Sequence, residues 1–339
     1  MATLRGWVVQ GKGQEATFGD LDAALLEAPA TAPPMLDIDV EYSSLNYKDA
    51  LALEGKPGVL RAFPIIPGID AVGRVRASDV AAAHGFDGGE LVVVTGAGIG
   101  EEFSGGLATR ALVPASAAVR VPGGFGALEA AAVGTAGFTA ALSVLALETA
   151  ELTPEAGPVL VTGAGGGVGS LAVALLAARG FEVHALTGRA ESLGPWLSDL
   201  GASAIIDRAD LAEAGRPLQR SRWAGAVDTV GGPILANVLA SLEHSGIATA
   251  CGLAQSADLP ASVLPFILRG VSLIGIDSVR VTRERREVAW QLIATALSPA
   301  DAPDVLASLT REIPLAQARE VSAPLLEGQV RGRTVVRVG

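Results

Sequence analysis

Over the first 130 residues, hydrophobic runs are short and are broken every few positions by Gly or Pro. Residues 37–40 lead into a polar stretch at 43–49. Pro67-Gly68 and Gly73 punctuate a second strand region, and Gly88-Gly89 precedes the β-rich Leu91–Thr95. Brief apolar runs between turn formers predict a β-barrel-like domain. Near residue 130 the pattern changes. Residues 130–147 are long, apolar and helix-compatible, and 158–162 is a buried-type strand followed by glycines and an apolar helix over 170–179. A second strand covers 181–187, and further strands are expected at 204–207, 226–230, 247–251 and 271–276, separated by helical lengths. Such alternation predicts a doubly wound parallel sheet. The tail holds one helix, 283–297, and ends in a strand-like run at 334–338. The expected class is therefore α/β, a β-rich domain joined to a Rossmann-type doubly wound parallel sheet.

Composition changes this picture little. A chain of 339 residues usually splits into two domains, and with half its residues hydrophobic it can fill both cores. The net charge of −11 argues against nucleic acid as a partner, because phosphate contacts need clustered Lys and Arg. Arg283, Arg285 and Arg286 form one short basic cluster, read as a solvated helix face, with a polyanionic substrate as the minority alternative. The single cysteine, Cys251, excludes an internal disulfide and a Cys-based structural zinc site, which fits a cytoplasmic location. The first residues lack the apolar core of a signal peptide, and no uninterrupted apolar run of about 18 residues stands out, so no membrane partner is expected.

The strongest chemical signal is Val159-Leu160-Val161-Thr162-Gly163-Ala164-Gly165-Gly166-Gly167-Val168-Gly169. A strand turning sharply into a helix presents unpaired N–H groups and a positive dipole end, a natural seat for pyrophosphate. The match to Gly-x-Gly-x-x-Gly is imperfect, because Val168 stands where a frame starting at Gly163 wants its last glycine. The second strand ends in Thr187-Gly188-Arg189. An enzyme using NAD usually carries Asp or Glu there for the ribose hydroxyls. Here Thr187 offers a hydroxyl, Gly188 leaves room and Arg189 offers a fork suited to a phosphate. That favours NADPH; an Arg at an ordinary exposed turn is the alternative. His184 reads as a strand residue packed on a neighbour.

Several further motifs accompany these: Ser43-Ser44-Leu45-Asn46-Tyr47-Lys48-Asp49, Pro64-Ile65-Ile66-Pro67-Gly68-Ile69-Asp70, Gly134-Thr135-Ala136-Gly137-Phe138-Thr139-Ala140, Val227-Asp228-Thr229-Val230-Gly231, Pro265-Phe266-Ile267-Leu268-Arg269 and Gly332-Arg333-Thr334. With them the chain resembles the YhdH/YhfP-type quinone oxidoreductases of the medium-chain dehydrogenase/reductase superfamily, and within that branch its acryloyl-CoA reductases. The resemblance implies a GroES-like catalytic domain, 1–130 and 281–339, with a Rossmann NADPH-binding domain inserted at 131–280. It implies no zinc, since zinc-dependent relatives carry Gly-His-Glu where this chain reads Gly68-Ile69-Asp70. None of its histidines, His84, His184 and His244, lies in that segment. It implies cofactor contacts at Tyr47, Gly165, Gly166, Gly167, Val168, Thr187, Gly188, Arg189, Arg208, Leu253, Ile267, Ser278 and Gly328. Two positions depart from the pattern: Gly328, where Asn occurs in the family, and Gly165, where Ser is common. A homodimer through edge strands of the Rossmann sheets is also implied.

The implied reaction moves hydride from NADPH to the β-carbon of acryloyl-CoA, and the thioester enolate then takes a proton at its α-carbon to give propanoyl-CoA. The protein must position the alkene and stabilise the developing oxyanion. Tyr47 is the first choice for a polar role, since a phenol is protonated at neutral pH and can donate; proton donation, positioning and plain packing all remain open. Asn46 is a second candidate, or simply a helix cap. Asp49 and Asp70 are expected to be structural hydrogen-bond acceptors. A CoA phosphate would want a cation, and Arg61, Arg280 and the cluster near Arg283 are candidates. A quinone is the alternative substrate, and a non-catalytic NADPH-binding protein is the alternative of another class.

Overall fold

The computed structural model describes residues 3–298 and 303–339. The fold is α/β, and the chain divides into two compact units. One holds the residues up to Phe138, Ser278–Ala294 and those from Ser298 on; the other holds Thr139–Asp277 and Thr295–Leu297.

The first unit is the β-rich one. Its seven-stranded sheet runs Thr310–Pro314, Arg333–Arg337, Met35–Leu45, Asp70–Val75, Leu91–Thr95, Val119–Arg120, with Arg110–Pro114 also paired to Met35–Leu45. The long strand Met35–Leu45 alternates at its start: Leu36, Ile38 and Val40 are buried, while Asp39 points to solvent. That period of two is what a half-buried antiparallel strand requires. Those side chains pack with Val75, Phe86, Val92, Val94 and Ile99. The strand runs on through Ser43, Ser44 and Leu45, all buried, so the polar stretch expected at 43–49 is the end of a strand followed by the helix Tyr47–Leu53.

The second unit is a six-stranded, wholly parallel sheet in the order Ala202–Asp207, Val183–Thr187, Val159–Thr162, Trp223–Asp228, Leu242–Ala250, Ser272–Gly275. Numbered along the chain this is 3-2-1-4-5-6, the doubly wound order whose switch point lies between the first and fourth strands. The two strands at that point, Val159–Thr162 and Trp223–Asp228, are buried at every residue, as a strand covered on both faces must be. The fifth strand starts at Leu242, five residues before the expected 247, because Glu243, His244 and Ser245 disguise its polar beginning.

Two sequence expectations are corrected here. Arg286 is not part of a solvated face; it is 1% exposed. It lies in phase with Ala289, Trp290 and Ile293 on the inner stripe of the helix Arg283–Ala296. Its guanidinium donates to Thr95 O at 2.8 Å, Val279 O at 3.1 Å and Val281 O at 3.1 Å. The helix Ala127–Thr149 has the length and apolarity to cross a bilayer, contrary to the reading that no such run exists, but 89% of its most apolar window is buried inside the protein. Its apolarity is used by the core. It is interrupted at Gly134, where φ is 47° and ψ −157°.

Candidate functional site

In the Rossmann unit the strand Val159–Thr162 ends at Gly163 and the helix Gly167–Ala178 begins four residues later. A Cβ at Gly169 would lie 2.3 Å from Gly163 O and 2.8 Å from Ala164 Cα. Gly169 therefore performs the close helix-to-strand packing that the glycine motif needs, and Val168 in the preceding position does no harm. The turn is latched by Asp228, at the end of the neighbouring strand. Its carboxylate accepts from Thr162 Oγ1 at 2.7 Å and Gly231 N at 2.8 Å, and Thr229 N donates to Thr162 Oγ1 at 3.0 Å. Burial pushes the Asp228 carboxyl above the usual range. Cys251 lies beside it and its Sγ donates to Asp228 O at 3.3 Å; burial, then the Asp228 charge, pushes its thiol up to about 12.

Thr187, Gly188, Arg189 and Arg208 converge on this turn. The Cβ position of Gly165 is 3.4 Å from an Arg189 guanidinium nitrogen and 3.6 Å from Thr187 Oγ1. Thr187 Oγ1 accepts from Arg189 N at 3.2 Å, which leaves its own proton free to donate. The Arg208 guanidinium lies over Gly188, so close that a Cβ there would sit 2.9 Å from Arg208 Cζ. Arg208 is exposed, and its side chain makes no hydrogen bond or ion pair with any described residue. Two forks and a hydroxyl beside the N-terminus of the helix Gly167–Ala178 can hold a dianion. Leu253 and Ile267, in the same unit, are exposed at 61% and 69%. His184 accepts the Trp223 indole N–H at Nδ1, 3.1 Å away, and is a packing residue.

In the β-rich unit a sealed polar cluster forms at the entry to the helix Tyr47–Leu53. Asn46 occupies the N-cap position and Asp49 reaches back to accept Asn46 N–H at 2.8 Å. The Asn46 amide nitrogen donates to Asp49 Oδ2 at 3.0 Å and Asp70 Oδ2 at 2.8 Å, and its oxygen accepts from Arg333 at 3.2 Å. The amide that sequence marked as a catalytic candidate is thus fully committed within the protein. Asp70 also accepts from Thr135 N at 2.9 Å, Thr135 Oγ1 at 2.6 Å and the Ser44 hydroxyl. Arg333 donates to Ala132 O at 2.9 Å and Ser44 Oγ at 2.7 Å, and lies 3.6 Å from Asp70 Oδ2. Ser44, Asp49, Asp70 and Arg333 are all buried. Burial first, then the Asp70 charge, pushes the Asp49 carboxyl up to about 7. Burial holds Arg333 below the ordinary arginine value.

Gly134 is what lets the helix approach this cluster. A Cβ there would meet Asp70 Oδ2, Ser44 Oγ and an Arg333 nitrogen at 2.6–2.8 Å. The helix break frees Ala132 O and Thr135 N, and the Arg333–Asp70 pair satisfies both. Tyr47, beside the cluster, is 43% exposed. Of the other expected positions, Ser278 is half-buried near Gly96, and Gly328 closes the helix Ser322–Leu326 at φ 70° with open space around its Cβ position, so the family's Asn would fit there. Arg61 is paired with Glu102 at 2.9 Å and Arg283 with Glu287 at 3.0 Å. Sequence reading did not single out Arg333 or Thr135 as site residues, although an arginine opening an apolar strand and a threonine after a helix-interrupting glycine were visible signals.

These residues do not fit a catalytic zinc. Ile69 stands where a histidine ligand would be, and every Asp49, Asp70 and Asn46 acceptor is already taken by donors of the protein. Among the described residues no group of three or more His, Cys, Asp or Glu is placed to hold a metal ion.

Comparison with known proteins matches residues 33–123 to the alcohol dehydrogenase GroES-like domain and 167–295 to the zinc-binding dehydrogenase family. The chain is 48% identical over 302 residues to the probable acrylyl-CoA reductase AcuI of Escherichia coli, covering 89% of this chain and 90% of that one. It is 44% identical over 334 residues to the acrylyl-CoA reductase AcuI of Ruegeria pomeroyi, covering 98% of each. Against the putative quinone oxidoreductase YhfP of Bacillus subtilis it is 41% identical over 302 residues, 89% of each. Among solved structures, the YhdH oxidoreductase of Salmonella enterica in complex with NADP superposes with a TM-score of 0.91 at 43% identity, over 99% of this chain and all of that one. The Bacillus subtilis YhfP structure with NAD bound gives 0.90 at 36% identity over the whole of both chains.

Proposed function

The chain belongs to the YhdH/YhfP-type quinone oxidoreductase family of the medium-chain dehydrogenase/reductase superfamily, and on that premise we propose that it uses NADPH, without zinc, to reduce acryloyl-CoA to propanoyl-CoA. The observation that carries the cofactor is the phosphate corner. Arg189 follows the second strand and the unpaired Arg208 guanidinium lies over Gly188, while that strand itself ends in Thr187 rather than in the carboxylate an NAD enzyme of this fold usually carries. The substrate rests on the likeness to proteins named acrylyl-CoA reductase.

Bound NADPH supplies the hydride for the β-carbon of the thioester. In this reading the N–H groups of Gly165, Gly167 and Val168 would hold its pyrophosphate, with Gly166 leaving room for it, while Thr187, Arg189 and Arg208 would hold the 2′-phosphate. Tyr47 presents its hydroxyl from the first position of a short helix and either protonates the α-carbon or orients the reacting groups. Leu253, Ile267, Ser278 and Gly328 are proposed as further contacts on the family pattern. A homodimer is proposed through the edge strand Ser272–Gly275, beside which Val263, Ile267 and Leu268 are exposed.

The test is loss of NADPH absorbance with acryloyl-CoA and, separately, with a quinone. We expect rapid oxidation with the thioester. The name of the YhfP relative supports the second reading, and rapid oxidation with the quinone alone selects it. No oxidation with either makes the chain a binder. Tyr47→Phe is expected to lower kcat by about 10²–10⁴-fold if the phenol donates the proton. Near-normal turnover rejects that role.

A further inference from the structure

The sealed cluster at the entry of the helix Tyr47–Leu53 contains more charge than a cap requires. One half of a capping box, Asp49 accepting Asn46 N–H, already satisfies the helix start. Yet the chain also buries a second carboxylate and a guanidinium there, at a desolvation cost that packing with apolar residues would avoid. The geometry indicates where that cost is used. Arg333 makes four hydrogen bonds: Nε to Ala132 O, one terminal nitrogen to Leu45 O at 3.4 Å and Asn46 Oδ1 at 3.2 Å, the other to Ser44 Oγ at 2.7 Å. Three of these four acceptors lie on residues 44–46, the segment that runs directly into Tyr47. Because Arg333 takes the Asn46 oxygen, the amide can turn only its nitrogen toward Asp49 and Asp70, which fixes its orientation. The fork therefore defines one backbone path from the buried strand into the exposed first turn.

We propose that Arg333 is a positioning residue for the reaction, holding 44–46 rigid so that the Tyr47 hydroxyl is presented in a single place. This rests on the reading of Tyr47 given above. Arg333 touches neither the substrate nor the cofactor in this scheme; it acts through Asn46. A lysine keeps the charge but cannot fill four acceptors in a planar fork, so charge and geometry are separable.

The experiment compares wild type, Arg333→Lys and Ser44→Ala at saturating NADPH and acceptor, below the melting temperature of each variant. Arg333→Lys is expected to lower kcat by about thirtyfold or more, since small misplacements of a reacting group are that costly, while NADPH affinity stays within about twofold. Ser44→Ala, which frees one arm of the fork, is expected to lower kcat about fivefold by the same reasoning. A role limited to neutralising charge predicts a lower melting temperature with unchanged kcat in both, and that result overturns the proposal. If Arg333→Lys gives no cooperative melt, Ser44→Ala decides alone, and wild-type kcat in it is fatal. If the wild type consumes NADPH with neither acceptor, the functional reading fails instead. Amide hydrogen exchange then judges the inference: faster exchange confined to residues 44–50 supports it, and either wild-type rates there or a rise shared equally by the rest of the β-rich unit rejects it.

Discussion

Arg333 in the β-rich unit is 2% exposed, and every nitrogen of its guanidinium meets an oxygen of the protein. The Arg208 side chain in the Rossmann unit is exposed over Gly188, with no hydrogen-bond or ion-pair partner among the described residues. The contrast separates two uses of one side chain. A buried guanidinium must be satisfied internally, so its contribution appears in stability and in the placement of its neighbours. An exposed one is solvated at little cost and remains free to exchange water for a phosphate, so its contribution appears in ligand affinity.

The largest effect is expected where this contrast is sharpest. Arg333→Met leaves Asp70 and Asn46 without their cation and is expected to cost about 5 kcal/mol of folding stability, the upper end for breaking a buried pair. Chemical denaturation measures it, and a loss below about 1 kcal/mol breaks the distinction.

The next concerns Asp49. Its carboxyl is pushed up to about 7 in the folded protein, whereas the unfolded chain releases that proton near its ordinary value of 3.8. The folded state therefore holds a proton that the unfolded state has lost. The resulting stability is fully present below about pH 4 and is lost as pH rises to about 7, amounting to roughly 4 kcal/mol across that window. It is read as the difference in unfolding free energy between wild type and Asp49→Asn at each pH. A difference that does not change between pH 4 and 7 contradicts the burial argument.

Smaller, and of the opposite kind, is Arg208→Ala. Losing a charge-assisted bond to phosphate is worth about 1.5–3 kcal/mol, so NADPH affinity is expected to fall about ten- to a hundredfold while NADH affinity hardly changes. Fluorescence titration with both cofactors measures it. The smallest expected effect belongs to the same variant: its folding stability is predicted to stay within about 0.5 kcal/mol of wild type, the range for an exposed substitution. A large stability loss there, or no cofactor effect, removes the contrast with Arg333.

The Rossmann unit was the more legible in sequence. Its central strands are continuous apolar runs, and its turn glycines stand where local geometry demands them. Even there the role of Gly169 was hidden, because a fixed spacing from Gly163 pointed to Val168 while the structure shows that Gly169 is the residue pressed against the strand. In the β-rich unit, Asn46 was visible as a possible helix cap and Asp49 as an expected structural acceptor, but not as partners. Their partners Asp70, Thr135 and Arg333 were visible only as fragments of separate motifs. Arg286 looks like one of a run of surface charges in sequence, but its helical phase places it on the stripe of Ala289, Trp290 and Ile293.

By itself the sequence determined the α/β class, the strand–turn–helix at Gly163–Gly169 and the basic ending of the second strand, because period, turn chemistry and residue type are local properties. Only the tertiary structure decided which charges are sealed and which are open. Ser44 and Arg333 are 289 residues apart in the chain and 2.7 Å apart in the fold, and Thr135 lies 65 residues from the Asp70 carboxylate it donates to. No local pattern carries that information, since the free energy of a buried charge is set by the groups that fold around it.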